Sequence, residues 1–376
     1  MYQRKLDLPR LLSKASYFLF GPRSVGKSSL IKAQLPQTLV FDLLDEDVCE
    51  ELSRRPRALG EKIGPSTPLV VIDEIQKIPK LLDEVHRLME ERSIRFLLTG
   101  SSSRKLKRGG ANLLGGRARE MHLYPLVFEE IADFDLLKYL NFGGIPSIYL
   151  SAEPLEDLKA YGRLYLAEEI KAEAAVRNYD RFVRFMETMA LSNGREINYQ
   201  NLSNDSGIPP RTIETHIEIL KDTLIGFELL PFQKTVKRKA TTKSKFYFFD
   251  CGVANYFSQR LPMGQGHTDL GVSFEQFIIQ EVRAYLAYAR KEKSLSYWRT
   301  RGYEVDLIVG RELAVETKFS DRFHPKFLKG LLALKEEGLI RRFLAVGRFS
   351  ESGTSQEIGY LGYREFLRML WAGQIL

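Results

Sequence analysis

The segment SYFLFGPRSVGKSSLIKAQ, residues 16–34, constrains this chain more than any other. Residues 16–20 read as a short buried strand. Gly21, Pro22, Arg23, Ser24, Val25, Gly26, Lys27 and Ser28 follow at once, and Ser29 to Gln34 reads as a helix. A GxxxxGK[ST] turn between a strand and a helix is the context in which a loop cradles phosphate. The glycines let backbone N–H groups approach phosphate oxygens. The helix N-terminus adds partial positive charge. Lys27 can then reach the β- and γ-phosphates of ATP, and Ser28 can ligate Mg²⁺. Ser29 belongs to the same nucleotide-facing set. An ordinary glycine-rich turn is the alternative, and the agreement of strand, spacing, Lys, Ser and helix argues against it.

A second segment points to the same chemistry. Leu69–Ile72 is a continuous apolar run, as in a central parallel strand, and it ends in Asp73 and Glu74. Ligands of open α/β sheets bind at the carboxyl edge of the strands. Asp73 is expected to hold Mg²⁺ through water, and Glu74 to orient or deprotonate the attacking water. Residues 94–99 read as another buried strand, ending in Thr99 with Ser101 beyond, two hydroxyls that could contact the γ-phosphate or the water, or could simply belong to a strand followed by a Ser/Gly turn. A basic stretch follows, with Arg104, Lys105, Lys107 and Arg108, then Arg117 and Arg119. One of these arginines is expected to stabilise γ-phosphate charge, in cis or from a neighbouring subunit. Arg117 is the first candidate and Arg119 the second. A solvated or DNA-facing charge run is the alternative.

The stretches GPRSVGKSS, LVVIDEIQKIP, FLLTGSSS, LLGGRA, YPLVFEEI and GGIPSIYL stand in this order within residues 16–150. In that order they resemble a family of prokaryotic AAA+-type ATPases that pair a P-loop domain with a long-uncharacterised C-terminal domain. Gln76 falls in that family's DEIQ pattern. The resemblance implies a doubly wound parallel sheet with ATP as ligand. ATPases of this type often place an arginine at a neighbour's pocket, so it also implies a homo-oligomer.

Length and composition set the outer limits. At roughly 100–200 residues per domain, 376 residues make two or three domains. The expected divisions are 1–150 for the P-loop domain, 151–255 for a helical and winged helix-turn-helix domain, and 256–376 for an α/β domain. Cys49 and Cys251 form no CxxC pair, so neither a disulfide framework nor a structural zinc site is expected. There is no apolar run long enough to span a membrane and no signal-peptide pattern, so cytoplasmic residence is expected. The net charge of +8 favours a polyanionic partner, DNA ahead of RNA.

Residues 197–220 read as a short helix, a turn at Gly207 and a second helix from Pro210. Residues 224–231 could open a β-wing, followed by Lys234, Lys237, Arg238, Lys239, Lys243 and Lys245. Contact with DNA would run through Arg211 and this basic wing. Glu214, Glu218 and Asp222 on the second helix disfavour laying it against phosphates, so a packing role stays open. His216 reads as a helix-surface histidine.

Farther on, residues 271–282 read as a helix carrying Glu275, and 295–300 as a strand. A hairpin of 304–309 and 313–318 then carries Asp306, Glu316 and Lys318. Asp and Glu-x-Lys on adjacent strands are the arrangement of restriction-endonuclease-like nucleases. There, two carboxylates bind Mg²⁺ and the lysine positions water. Glu275 would complete the site. The "G..FE" helix, YWRT with EVDLIV, and ETK resemble the same ATPase family, which implies a nuclease-like fold over residues 265–350. A degenerate fold used for DNA binding or packing is the alternative.

The leading expectation is an ATP-hydrolysing, DNA-associated protein. A nucleotide-gated regulatory switch without nuclease activity and an ATP-licensed metal-dependent nuclease stay open beside it.

Overall fold

A computed structural model of the chain describes residues 2–101, 114–165 and 179–376. It forms two compact units. The first is Met1–Tyr124 with Asp222–Leu224, and the second is Pro125–Lys221 with Ile225–Leu376.

The first unit is built on five strands: β1 (Ser16–Phe20), β2 (Leu39–Asp42), β3 (Leu69–Asp73), β4 (Arg95–Gly100) and β5 (Ala118–His122). They pair in the order β2-β3-β4-β1-β5, all parallel. β1, β3 and β4 are buried almost throughout, because a parallel sheet is covered on both faces, and this explains their unbroken apolar runs. The Leu81–Arg92 helix buries Leu81, Leu82, Val85 and Leu88 at helical spacing. These side chains join Phe18, Phe20, Val70, Ile72, Phe96 and Leu98 in one core. The sheet order puts β4 between β1 and β3, so a side chain at the end of β4 stands between the P-loop and the acidic pair.

The second unit holds an eight-stranded sheet: β6 (Gly226–Pro231), β7 (Lys245–Phe248), β8 (Leu295–Arg299), β9 (Glu304–Val309), β10 (Leu313–Lys318), β11 (Arg342–Gly347), β12 (Gly353–Ser355) and β13 (Ile358–Gly362). Its order is β12-β13-β11-β10-β9-β8-β6-β7. β8, β9 and β10 are antiparallel neighbours, as the 304–318 hairpin predicts. The Lys329–Lys335 helix carries the chain from β10 to a parallel β11, and β13 is parallel to β11 in turn. The Leu270–Tyr288 helix packs on β10.

Two sequence expectations meet a different structure here. Residues 125–150, grouped with the P-loop domain by their motifs, pack inside the second unit. The Tyr139 hydroxyl donates to Leu126 O, and Gly144 N donates to Asp250 Oδ2 at 2.7 Å. The divisions expected at 151–255 and 256–376 fall within this same unit. The helices expected on either side of Gly207 form as Tyr199–Ser206 and Pro210–Asp222, with Gly207 left-handed at φ 68°. The β6–β7 hairpin beyond them is no separate wing, however. β6 pairs with β8 and extends the large sheet.

Candidate functional site

The P-loop runs from the end of β1 into the Lys27–Gln34 helix. Gly26 sits at φ 94° as the residue before the helix, a conformation that favours glycine. A Cβ on Gly21 would stand 2.7 Å from Leu123 O, so the loop's first turn also requires glycine. Gly26 has no side chain with which to cap the helix, and the first N–H groups of such a helix can receive an anion. Lys27 is buried and folds over the loop, its Nζ donating to Gly21 O at 2.8 Å. Ser28 Oγ donates to Asp73 Oδ2 at 2.8 Å. The Thr99 hydroxyl bonds the other oxygen, Asp73 Oδ1, and accepts from Glu74 N at 3.0 Å. Sheet order explains this, because Thr99 lies at the carboxyl end of β4, between β1 and β3.

Glu74 leaves the strand at φ 61°, an uncommon left-handed turn for a non-glycine residue. Gln76 Nε2 donates to Glu74 Oε2 and reaches Ser101 Oγ at 3.2 Å. Gln76 is buried, and Gly100 leaves room for its amide: a Cβ there would stand 2.8 Å from Gln76 Oε1. A buried glutamine therefore holds the carboxylate that follows the strand. The sequence marked Gln76 only as part of a pattern, and its contact with Glu74 is the addition.

Residues 13–132 match an AAA domain. Residues 133–263 match the domain of unknown function DUF8612, and residues 270–348 match DUF4143. An uncharacterized protein of Mycobacterium tuberculosis is 28% identical over 329 residues, 83% of this chain and 72% of its own length. An uncharacterized protein of Methanocaldococcus jannaschii is 26% identical, covering 65% of this chain and 59% of its own. Among solved structures, a Walker-type ATPase of Pyrococcus abyssi aligns at TM-score 0.46 and 17% identity, over 67% of this chain and 93% of its own. The replication initiator DnaA, bound to AMPPCP and single-stranded DNA, aligns at TM-score 0.30 and 12% identity, over 59% and 90%. The AAA domain has a P-loop NTPase core.

In the first unit, Arg4 braces the P-loop from outside the matched AAA segment. Its Nη1 donates to Val25 O at 2.7 Å and its Nη2 to Tyr124 O at 2.5 Å. Nothing in the sequence around Arg4 signalled this, because its partners are backbone carbonyls 21 and 120 residues away.

The arginine candidates fare differently. β5 runs parallel to β1 with Ala118 level with Ser16, so Arg117 lies at the amino edge of the sheet. The P-loop leaves β1 at the other edge. Arg117 instead pairs with Glu90, and the direction of β5 sets it at the opposite edge of the sheet from its own P-loop. Arg119, level with Tyr17, is exposed on the same edge strand. Arg104, Lys105, Lys107 and Arg108 lie outside the described residues.

In the second unit the structure brings Asp306, Glu316, Lys318 and Glu275 together. Asp306 Oδ2 accepts from Thr317 N at 2.7 Å and from Thr317 Oγ1 at 2.8 Å. Glu316 pairs with Lys318 through Oε1, and its Oε2 is buried without a hydrogen-bond partner. Burial first, then the Asp306 carboxylate, pushes Glu316 well above the usual carboxylate range. Burial opposes charge on Lys318, but Asp306 and Glu316 hold its pKa above the ordinary lysine value.

Glu275 is already engaged. It accepts from Lys245 Nζ at 2.9 Å and from the Tyr247 hydroxyl at 2.5 Å. Lys245 also pairs with Glu304 at 2.7 Å. At 3% exposure it is no part of a basic wing, the role expected from its sequence neighbours. Its place on β7 turns the side chain into the carboxylate cluster. Lys237 and Arg238 are likewise tied down, to Glu336 O and to Ala333 O. Among the described residues no group of three or more His, Cys, Asp or Glu side chains is arranged to hold a metal ion. A cation here would rest on Asp306 and on the orphaned oxygen of Glu316, without Glu275.

His216, expected on a helix surface, is buried between Phe182 and Phe185, edge-on to both rings. Among the described residues no helix is long and apolar enough to cross a membrane.

Proposed function

We propose that this protein hydrolyses ATP at the P-loop and couples turnover to nucleic acid, DNA before RNA. The observation that carries the ATPase reading is the chain Ser28–Asp73–Thr99–Glu74–Gln76, which joins a hydroxyl and a carboxylate to a tethered acid at one sheet edge. Backbone N–H groups of Arg23, Ser24, Val25, Gly26, Lys27, Ser28 and Ser29 would cradle the phosphates, with Gly21 and Pro22 shaping the turn that brings them there. Lys27 would exchange its carbonyl partners for the β- and γ-phosphates. Ser28 and Asp73 are the hard oxygen donors suited to Mg²⁺, which would neutralise charge on the phosphates. Glu74 would take the proton of the attacking water, with Gln76 setting its carboxylate. Thr99 would hold Asp73 in place. Arg117 could act only on a neighbouring subunit's pocket, a role that requires a homo-oligomer.

The test is phosphate release with Mg²⁺, with and without double-stranded DNA, beside Glu74→Gln. DNA-stimulated turnover that Glu74→Gln removes supports the reading. Turnover indifferent to DNA favours a nucleotide-gated switch instead.

A second reading, metal-dependent strand cleavage by the second unit, is favoured by the unpartnered Glu316 Oε2. The helix, antiparallel β8-β9-β10 and crossover to β11 are consistent with a restriction-endonuclease-like fold. Nicking of supercoiled plasmid with Mn²⁺, lost in Asp306→Ala while ATP turnover persists, would support it. No nicking under any nucleotide condition would remove it.

A further inference from the structure

We propose that the cleft at the carboxyl ends of β10, β11 and β13 binds a segment of single-stranded nucleic acid, with Arg348 and Arg364 as its anchors. This deepens the nucleic-acid reading above and rests on it.

The cleft measures about 550 Å³, within the range of sites that enclose a small-molecule-sized group. Three parallel strands open into it. Phe319 and Asp321 follow β10, Arg348 follows β11, and Tyr363 and Arg364 follow β13. The carboxyl edge of parallel strands is where α/β sheets take ligands. The P-loop belongs to the other sheet.

Its chemistry selects the ligand. The Arg348 guanidinium lies 4.6 Å from the centre of the Phe319 ring. The Arg364 guanidinium lies 5.4 Å from that of Tyr363 and donates to Phe134 O at 3.1 Å. A guanidinium laid beside an aromatic ring is a planar cation whose donors can serve a phosphate while its flat face takes a base. Arg348 pairs with Asp321 at 2.7 Å, but the Asp321 side chain is 68% exposed. An ion pair that exposed is weak, and a phosphate can displace it. Base faces are open to such stacking only in unpaired strands. The cleft also adjoins the carboxylate cluster. Phe319 follows Lys318 directly, and its ring lies 5.8 Å from that of Phe274, the residue before Glu275.

The test uses the full chain and fluorescence anisotropy with a labelled oligothymidylate of about 20 nucleotides, beside a duplex of the same length. Wild type is expected to bind the single strand tighter than the duplex. The Arg348→Ala/Arg364→Ala double variant is expected to weaken single-strand binding by about tenfold or more, with basal ATP turnover unchanged. Arg348→Lys/Arg364→Lys keeps the charge and loses the planar stack, and is expected to weaken binding by about threefold or more. Wild-type binding of either nucleic acid that both double variants retain in full overturns the cleft and leaves the broader reading standing. Equal weakening of duplex and single strand overturns the single-strand assignment. Failure of wild type to bind either probe overturns both.

Discussion

Ser28 and Asp73 are 45 residues apart in sequence and 2.8 Å apart in space, Oγ to Oδ2. The two oxygens expected to share one cation therefore meet through a direct hydrogen bond across the gap that β4 spans. To help hold Mg²⁺, the Ser28 hydroxyl would give up its hydrogen bond to Asp73 and offer an oxygen lone pair, keeping its proton. The side chains proposed to bind phosphate and to activate water are different ones, Lys27 and Glu74, so their roles can be separated. Lys27→Ala should weaken ATP binding by about 100-fold or more, because a charged donor to the phosphates is lost. Glu74→Gln should leave affinity within about twofold and lower turnover by about 100-fold. Equilibrium nucleotide binding and steady-state phosphate release separate the two, and equal binding defects in both variants would remove Glu74 as the base.

Gln76 should matter to rate more than to affinity. Its amide holds Glu74 Oε2 and reaches Ser101, so it sets where the carboxylate points. Gln76→Ala should lower kcat by about tenfold with KM for ATP nearly unchanged. A matching rise in KM would mean that Gln76 supports the loop, not the acid. An unchanged kcat would sink the role altogether.

What could be read from the sequence divides by how local the information is. The strand, turn and helix around Gly21–Ser28 were legible because each residue's role depends on its immediate neighbours. The 304–318 hairpin was legible for the same reason. Whether Arg117 could serve its own P-loop or only a neighbour's was not legible, because only the direction of β5 decides which edge of the sheet it reaches. Lys245 looked like one more charge in a basic run. Its partners Glu275 and Glu304 are brought to it only when β6 and β7 join the large sheet. His216 has charged neighbours in sequence, and the two phenylalanines that bury it come from a different helix.

His216 gives the second unit a defined acid sensitivity. Burial lowers its pKa from 6.5 to about 4. Between those values the unfolded chain binds a proton that the folded chain does not, so stability falls as pH falls. The contribution is complete above pH 6.5 and is lost as pH drops through that window. At about pH 5 the loss should be about 2 kcal/mol. Thermal melts near pH 7.5 and pH 5 would measure it, and His216→Phe, which keeps an aromatic ring between Phe182 and Phe185, should flatten the difference. An equally steep pH dependence in that variant would place the titration elsewhere.

Lys245 should prove to be a structural counter-ion whose loss is felt through the acids it leaves behind. Burial opposes its charge, yet Glu275, Asp306 and Glu304 hold its pKa well above the ordinary value, so the ammonium stays charged inside the cluster. Burial also raises Glu275, and Lys245 is the largest influence opposing that rise. Breaking a buried pair from one side costs about 3–5 kcal/mol, because the remaining charge is stranded. Lys245→Met should therefore destabilise the protein by about 3 kcal/mol in denaturant unfolding. Lys245→Met with Glu275→Gln should recover part of that loss, since it removes the stranded carboxylate. If the two substitutions simply add, Lys245 and Glu275 are not energetically paired, and the ammonium answers chiefly to Glu304 and Asp306.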